Sequence, residues 1–446
     1  MDLLKNQLID AVIESYSSEG AGIARVGGRV VFVEEAARGD AATLRILKVT
    51  ARAAYAKIEV LQSPAAVRVT PDCSAAARCG GCVFSHLRYD EEFFAKKQRV
   101  MDALQRLGGC RTLPDCIDVP AENVAGYRNK ALFPVADGPV FGFYRPRSHQ
   151  VVPLENCEIQ DVRASAAARA VVDWMARYEV EAYCEATAQG CVRHVFARTG
   201  VDGSLLGVVA HGPPVHARML VEALREACPD ACGVVWLDNR TTGNTVLQGQ
   251  LTTLWGQDFL QERLGGLTFR VGVFSFFQVN RDQAEKLFAL AVDFADCEEE
   301  TQIVDLYCGA GTLTLWLAQR SRNVWGIEVV EQAVEDARQN ADRNGLSARF
   351  LRADAADGLA QLRARGIVPE VITVDPPRKG LSPELVTLLG QVRPVRLVYI
   401  SCNPATLARD IGLLREFGYT LARLAVVDMF PRTAHVECVV QLVIDE

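Results

Sequence analysis

Three short runs carry reactive side chains in positions suited to covalent or proton-transfer chemistry. YISCNP (399–404) sets Cys402 just past an apolar run, behind a small serine and ahead of Asn403-Pro404. A thiol at the end of a strand can attack an electrophilic carbon. The competing reading is a buried, inert thiol, the common fate of a free cysteine. HVECVVQLVI (435–444) opens an otherwise apolar run with Glu437. A carboxylate there costs free energy unless it is paired or used. Partial desolvation would raise its pKa and suit it to general-base work, with His435 and Cys438 as rival groups. VDPPRKG (374–380) places Asp375 ahead of two prolines, which stop a strand ladder and stiffen the loop. Asp375 is then poised to orient a cofactor or a substrate edge.

A fourth run, DLYCGAGTL (305–313), follows an apolar strand and opens a helix. Its glycines permit a tight turn and close approach of a ligand to the backbone. The full GxGxxG fingerprint is absent, because Leu313 and Thr314 follow Gly311. Glu328 ends the next strand-like run, where an acid accepts hydrogen bonds from ribose hydroxyls. Asp354 ends a third, where an acid could meet an adenine amino group; either acid alone could instead be a helix cap or a solvated loop residue. A glycine turn with acids at successive strand ends points to an adenosine-containing cofactor. S-adenosylmethionine fits better than a dinucleotide, since it has no phosphates to cradle.

The cysteines form a further pattern. Cys73-x5-Cys79-x2-Cys82 is joined by a distant Cys157, among fourteen cysteines in all. Glycines at 80 and 81 let the thiols converge on one inorganic centre, either zinc or iron–sulfur. The x5 spacing is not that of a usual zinc knuckle and favours iron–sulfur. Without a secretory leader, disulfides are not expected.

These residues need elements to position them. The chain has 446 residues, which suggests about three domains at ~150 residues each. Residues 1–62 are short Val/Ile-rich runs divided by turn clusters at Ser17–Gly22, Gly27–Gly28 and Arg38–Asp40, as in a small OB- or TRAM-like barrel. Ser63-Pro64 and Thr70-Pro71 mark a linker. The spacing of Phe93, Val100, Met101, Leu104 and Leu107 predicts a helix over 90–107, with Lys96, Lys97, Arg99 and Arg106 mostly off the apolar stripe. Residues 117 to about 270 read as mostly strands with one or two helices. From about Phe274, apolar strand-like runs alternate with helical runs, the pattern of a doubly wound α/β domain.

Charge and hydropathy limit the function classes. The net charge of -7 excludes a uniformly basic nucleic-acid binder. Between Cys73 and Gln150, however, 11 Lys/Arg face 8 Asp/Glu, a locally basic stretch. No apolar run reaches the 18 residues of a spanning helix, and MDLLKNQLID lacks the features of a secretory signal. A cytoplasmic protein without membrane partners is expected.

Read in order, FFQVN (276–280), DLYCGAGTL, GIE, DPPRKG, ISCNP and HVECV resemble the RNA 5-methyluridine methyltransferases of the TrmA/RumA type, most of all their 23S rRNA-directed RlmD/RlmCD members. The resemblance covers essentially the whole chain, including YRNKA and GFYRPRSH. It implies a Rossmann-like α/β methyltransferase domain (273–446), an N-terminal TRAM/OB barrel (1–62) and a central α+β iron–sulfur domain (63–272), whose helix 90–107 is a candidate to pack on the catalytic domain. It implies that Cys402 is the nucleophile and Glu437 the base that removes the proton from carbon 5. It implies S-adenosylmethionine contacts from Gln278, Tyr307, Glu328 and Asp375, with Asp354 and Thr312 as further contacts; Thr312 lies where some members carry asparagine. Cys73, Cys79, Cys82 and Cys157 would hold a 4Fe–4S cluster. The implied partner is 23S rRNA before full ribosome assembly, and the implied state is a monomer. The tRNA-directed relatives share the chemistry but usually lack the barrel and the cluster cysteines. A non-catalytic RNA-binding iron–sulfur protein would not need Cys402, Glu437 and Asp375 together. A radical enzyme would need CxxxCxxC, which is absent.

Overall fold

A computed structural model describes residues 3–444; residues 1–2 and 445–446, the outer ends of the first and last expected units, lie outside the described residues. The chain builds three large sheets and one two-stranded ribbon. The first sheet runs in the order Leu8–Val12, Ala41–Val49, Ala53–Ser63, Arg29–Val33, Gly22–Val26, Ser15–Tyr16. Alternation decides which face is inward: Ala42, Leu44 and Ile46 are buried while their neighbours are not. Gly27 and Gly28, at φ 56° and 81°, close the hairpin between Gly22–Val26 and Arg29–Val33, where two left-handed residues match the strand twist. The poorly alternating run at 7–16 breaks into two strands, Leu8–Val12 and Ser15–Tyr16.

The second sheet has seven strands, in the order Val151–Pro153, Val140–Tyr144, Lys130–Ala136, Val192–Thr199, Ser204–Ala210, Ala231–Asp238, Gln250–Gly256. Helices Val162–Arg177 and Ala217–Ala227 cover one face through Ala164, Ala168, Val171, Leu220 and Leu224. Strands Val192–Thr199 and Ser204–Ala210 are buried along their whole length; Leu205–Ala210 is apolar throughout, whereas Val192–Thr199 also buries Arg193, His194 and Arg198.

The third sheet has eight strands, in the order Ala348–Arg352, Asn323–Glu328, Gln302–Leu306, Val371–Val374, Arg396–Ser401, Glu437–Ile444, Tyr419–Val427, Cys116–Val119. The first five are parallel, and Glu437–Ile444 runs antiparallel between its neighbours. Helices Arg281–Ala295, Thr312–Ala318 and Glu331–Asn344 pack on one face. Helices Ala355–Ala364, Pro383–Val392 and Pro404–Arg415 pack on the other. This is the doubly wound arrangement, which gathers ligands at the carboxyl ends of the parallel strands.

Residues far upstream complete this unit. Helix Tyr89–Arg106 buries Val100 and Leu104 in the same core and lies against helix Pro404–Arg415. Strand Cys116–Val119 extends the sheet beside Tyr419–Val427. Lys96, expected off the apolar stripe, is instead buried. Its Nζ donates to Glu92 Oε1 at 2.6 Å, Asp428 Oδ1 at 2.8 Å and the Phe430 carbonyl at 3.1 Å. A buried ammonium is tolerable only with such partners.

Candidate active site at the carboxyl edge of the parallel sheet

Cys402 occupies a sharp turn between strand Arg396–Ser401 and helix Pro404–Arg415. Asn403 caps that helix, its Oδ1 accepting from the Ala405 N–H at 3.2 Å, and Pro404 begins it. Ser401 Oγ accepts from the Asn403 N–H at 3.1 Å, which tightens the turn. The thiol therefore stands half-buried just ahead of a helix N-terminus.

Glu437 arrives from the other end of the chain. Ser401 pairs with Cys438, and Val427 pairs with Glu437. Cys402 and Glu437 therefore lie one residue beyond the paired Ser401 and Cys438, and the Glu437 charge reaches the thiol. The carboxyl is buried, and among the described residues no hydrogen bond reaches it. Burial, with Asp375 nearby, pushes it well above the usual carboxylate range, while Arg378 pulls it down. Cys402 is pushed up to about 11 by burial and by Glu437 and Asp375, again opposed by Arg378. Asp375 itself is raised to about 7, by desolvation first and by Asp305 second. His435 is half-buried beside Arg378, and desolvation with the surrounding cations lowers it to about 4. A ring that is neutral at physiological pH and held by Arg378 is a hydrogen-bonding neighbour of the site.

The glycine turn lies along the same edge. Gly309 has φ 54°, and a Cβ added there would meet nothing within 4 Å. Tyr307 holds φ 65°, a conformation costly for a bulky residue and typical of functional turns. The Gly309 N–H donates to Glu328 Oε2 at 3.1 Å and the Val330 N–H to Oε1 at 2.9 Å. Glu328 is thereby fixed facing the open glycine turn with lone pairs to spare. These features fit an adenosyl ligand: open space over a backbone turn, with an acid at the next strand end. Thr312 begins the helix that follows, after Gly311 at φ 82°. Asp354 is exposed and caps the next helix, accepting from the Ala356 N–H at 3.0 Å, yet its charge still reaches Tyr307. Gln278 is buried, and its segment is tied to the central sheet: Asn129 Nδ2 donates to the Gln278 carbonyl at 3.0 Å.

Some participants went unnoticed at the level of sequence. Asp305 lies inside the quoted glycine motif. It is buried, accepts from Thr314 Oγ1 and Thr373 Oγ1 at 2.6 Å each, and is raised to about 6 by desolvation. Arg378 lies inside DPPRKG, and Phe276, 73% exposed, sits two residues before Gln278. Of its two hydroxyl partners, Thr314 is nine residues away and Thr373 sixty-eight.

The four candidate cluster cysteines do not all lie at one depth. Cys157 is buried and Cys82 packs against the same core, while Cys73 and Cys79 are half-buried. Cys82 is raised to about 12 by burial and by Cys157, Cys79 and Cys73, so all three lie within electrostatic reach of it. Among the described residues no three His, Cys, Asp or Glu side chains are close enough to hold a metal ion.

The fold and the site define a class, a methyltransferase built on a doubly wound sheet. Comparison gives the family. The tRNA (Uracil-5-)-methyltransferase family model matches residues 251–444, and the TRAM domain model matches residues 3–58. A Clostridium tetani protein described as an uncharacterized RNA methyltransferase is 35% identical over 98% of this chain and 96% of its own. A Bacillus cereus protein of the same description is 34% identical over 98% and 96%. The crystal structure of the Pyrococcus abyssi tRNA (uracil-54, C5)-methyltransferase with S-adenosyl-L-homocysteine superposes at TM-score 0.81 and 26% identity, covering 97% of this chain and 99% of that one. The chain belongs to the RNA (uracil-5-)-methyltransferase family that carries a TRAM domain, and its enzymatic class is S-adenosylmethionine-dependent RNA uracil-5-methylation.

Proposed function

We propose that the protein methylates carbon 5 of a uridine in 23S rRNA through a covalent adduct at Cys402. The Ser401–Cys438 pairing, which brings Cys402 and Glu437 near one another, and the reach of the Asp375 charge to both support the covalent route; the 23S rRNA target rests on the motif resemblance. S-adenosylmethionine, when bound, supplies an electrophilic methyl group; Gln278, Tyr307, Thr312, Glu328, Asp354 and Asp375 are the residues assigned to hold it. Uracil carbon 5 is too weak a nucleophile alone. The Cys402 thiolate adds to carbon 6, and the ring electrons move to the carbon 4 oxygen as an enolate. Carbon 5 would then take the methyl group, and the electrons of the broken sulfur–carbon bond would leave with the sulfur as a neutral thioether. Glu437 removes the proton left on carbon 5, and the returning electrons expel the thiolate. The high proton affinity of the buried Glu437 suits it to that abstraction. Both faces of the ring must be reached, so the base leaves its stack. Phe276, 73% exposed, would offer an aromatic face for a base to stack on. The barrel (1–62) and the basic central stretch around Tyr127–Lys130 and Phe141–Arg147 would hold the flanking RNA.

A tRNA substrate is the second reading. The Pyrococcus enzyme is named for a tRNA position and matches nearly the whole of this chain, so the N-terminal unit does not by itself separate the two. We assign Cys73, Cys79, Cys82 and Cys157 to a 4Fe–4S cluster. In support, Cys157, Cys79 and Cys73 all lie within electrostatic reach of Cys82.

The test uses 5-fluorouridine-containing 23S rRNA and tRNA with S-adenosylmethionine. Fluorine at carbon 5 blocks elimination and traps the adduct, which should form with the rRNA at Cys402. Glu437→Gln should accumulate adduct on ordinary RNA. Native-rate methylation by Cys402→Ser would refute the nucleophile, and trapping on tRNA alone would select the second reading.

A further inference from the structure

Arg378 is hydrogen-bonded to both loops bearing the candidate reactive groups. Its carbonyl accepts from Asn403 Nδ2 at 3.0 Å and from Thr406 Oγ1 at 3.2 Å, on the turn and helix that follow Cys402. Its guanidinium Nη2 lies 3.3 Å from His435 Nε2 and 3.5 Å from Nδ1, two residues before Glu437. The side chain is exposed, and its described hydrogen bonds are to His435 rather than to a carboxylate. The three sequence segments at this junction, 375–380, 401–406 and 435–437, have no local reason to meet.

The geometry points to Arg378 as the positioning residue of the site: its main chain holds the Cys402 turn, and its guanidinium, seated on His435, supplies the positive charge against which the Cys402 thiol ionises. This rests on the reading of Cys402 as nucleophile and adds a residue to it.

The groups facing Cys402 show why such a charge matters. Glu437 and Cys438 come from the neighbouring strand, Asp375 from the loop after Val371–Val374, and Arg99 from helix Tyr89–Arg106. Two carboxyl groups oppose thiolate formation. Arg99 is turned to the Ala434 carbonyl at 2.8 Å. Arg378 is the cation that favours the thiolate most directly. Its seat on His435 needs a ring nitrogen with a free lone pair, and burial with Arg378, Arg99, Lys96 and Arg128 keeps that ring unprotonated down to about 4. A protonated ring would repel the guanidinium and release it.

The experiment reads the thiol directly. The full-length protein, without RNA or S-adenosylmethionine, is alkylated with iodoacetamide across a pH series, and Cys402 is followed by peptide mass spectrometry. Arg378→Met should move the alkylation midpoint roughly one unit to higher pH, the usual effect of losing one nearby opposite charge. Arg378→Lys should keep most of the midpoint, and His435→Asn should move it part of the way in the same direction as Arg378→Met. An unchanged or more acidic midpoint in Arg378→Met overturns the charge role, and an unchanged midpoint in His435→Asn overturns the seat. Because substrate is absent, these outcomes are independent of whether Cys402→Ser still methylates RNA, which tests the nucleophile itself. Thermal melting of each variant checks that the exposed substitution has left the fold intact.

Discussion

The reactive groups of this site are restrained by their neighbours rather than primed in isolation. Cys402, at about 11, is mostly a thiol at neutral pH, and the negative groups around it are the reason after burial itself. Asp375 titrates near 7, so its charge acts on the thiol only above that pH. The alkylation midpoint lies in the alkaline range where Asp375 is ionised, so Asp375→Asn should shift that midpoint down, by roughly one unit. The sign is opposite to that expected for Arg378→Met, and a midpoint that rises in Asp375→Asn would show that the carboxyl does not face the thiol. The sequence marked Cys402, Glu437 and Asp375 because each interrupts or ends an apolar run. It did not mark Asp305 or Arg378: the Thr373 contact of Asp305 and the contacts of Arg378 at 403, 406 and 435 are distant in sequence.

At the scale of elements, the segment Asp428–Val436 leads directly into Glu437 and is held from several sides. Lys96 and Glu92 of helix Tyr89–Arg106 meet Asp428 in a buried cluster, and Tyr89 OH donates to Asp428 Oδ2 at 2.9 Å. The Arg432 N–H donates to Glu92 Oε1 at 2.6 Å. Phe84, beside Cys82, donates its N–H to the Arg432 carbonyl at 3.1 Å, and Tyr127 OH donates to the Pro431 carbonyl at 2.9 Å. Removing one member strands the opposite charges in a dry environment. Lys96→Met should therefore cost about 3–5 kcal/mol, seen as a lower urea midpoint for the transition that reports the third sheet. A midpoint equal to that of the unaltered protein would mean that water reaches the cluster. The helix itself was visible from its apolar spacing, and its ends differ by only one residue from those predicted. Its buried lysine was not visible, because an ammonium on a helix flank looks solvated until a carboxylate from residue 428 is brought to it.

Across the whole molecule, the cysteine-bearing segment sits on the central sheet. The Gly80 N–H donates to the Tyr144 carbonyl at 3.3 Å, and Gly80 and Gly81 line a groove with Tyr144, Arg145, Arg147 and His149. The adenosyl edge belongs to the third sheet. If the thiols hold a cluster, protein purified without oxygen should be brown and contain about four iron and four sulfide per chain. Cys79→Ser should then weaken RNA binding while leaving S-adenosylmethionine affinity largely intact. Stoichiometric zinc in a colourless preparation would refute the cluster, and equal loss of both affinities in folded protein would place the centre near the adenosyl edge. By itself the sequence determined what local chemistry can determine. Period-two and helical spacing set the strand and helix types, glycines set the turn at 309–311, and prolines ended the strands before 376 and 404. Six ordered motifs were enough to indicate the family. The tertiary structure alone decided that strand Glu437–Ile444 enters antiparallel beside Arg396–Ser401 in the register that pairs Ser401 with Cys438, one residue from Cys402 and Glu437. It alone decided that strand Cys116–Val119 joins a sheet begun some two hundred residues later, whereas packing of the preceding helix on that domain was already expected. Strand order and register are fixed by burying faces contributed from distant parts of the chain, and a local pattern fits several such arrangements equally well until packing selects one.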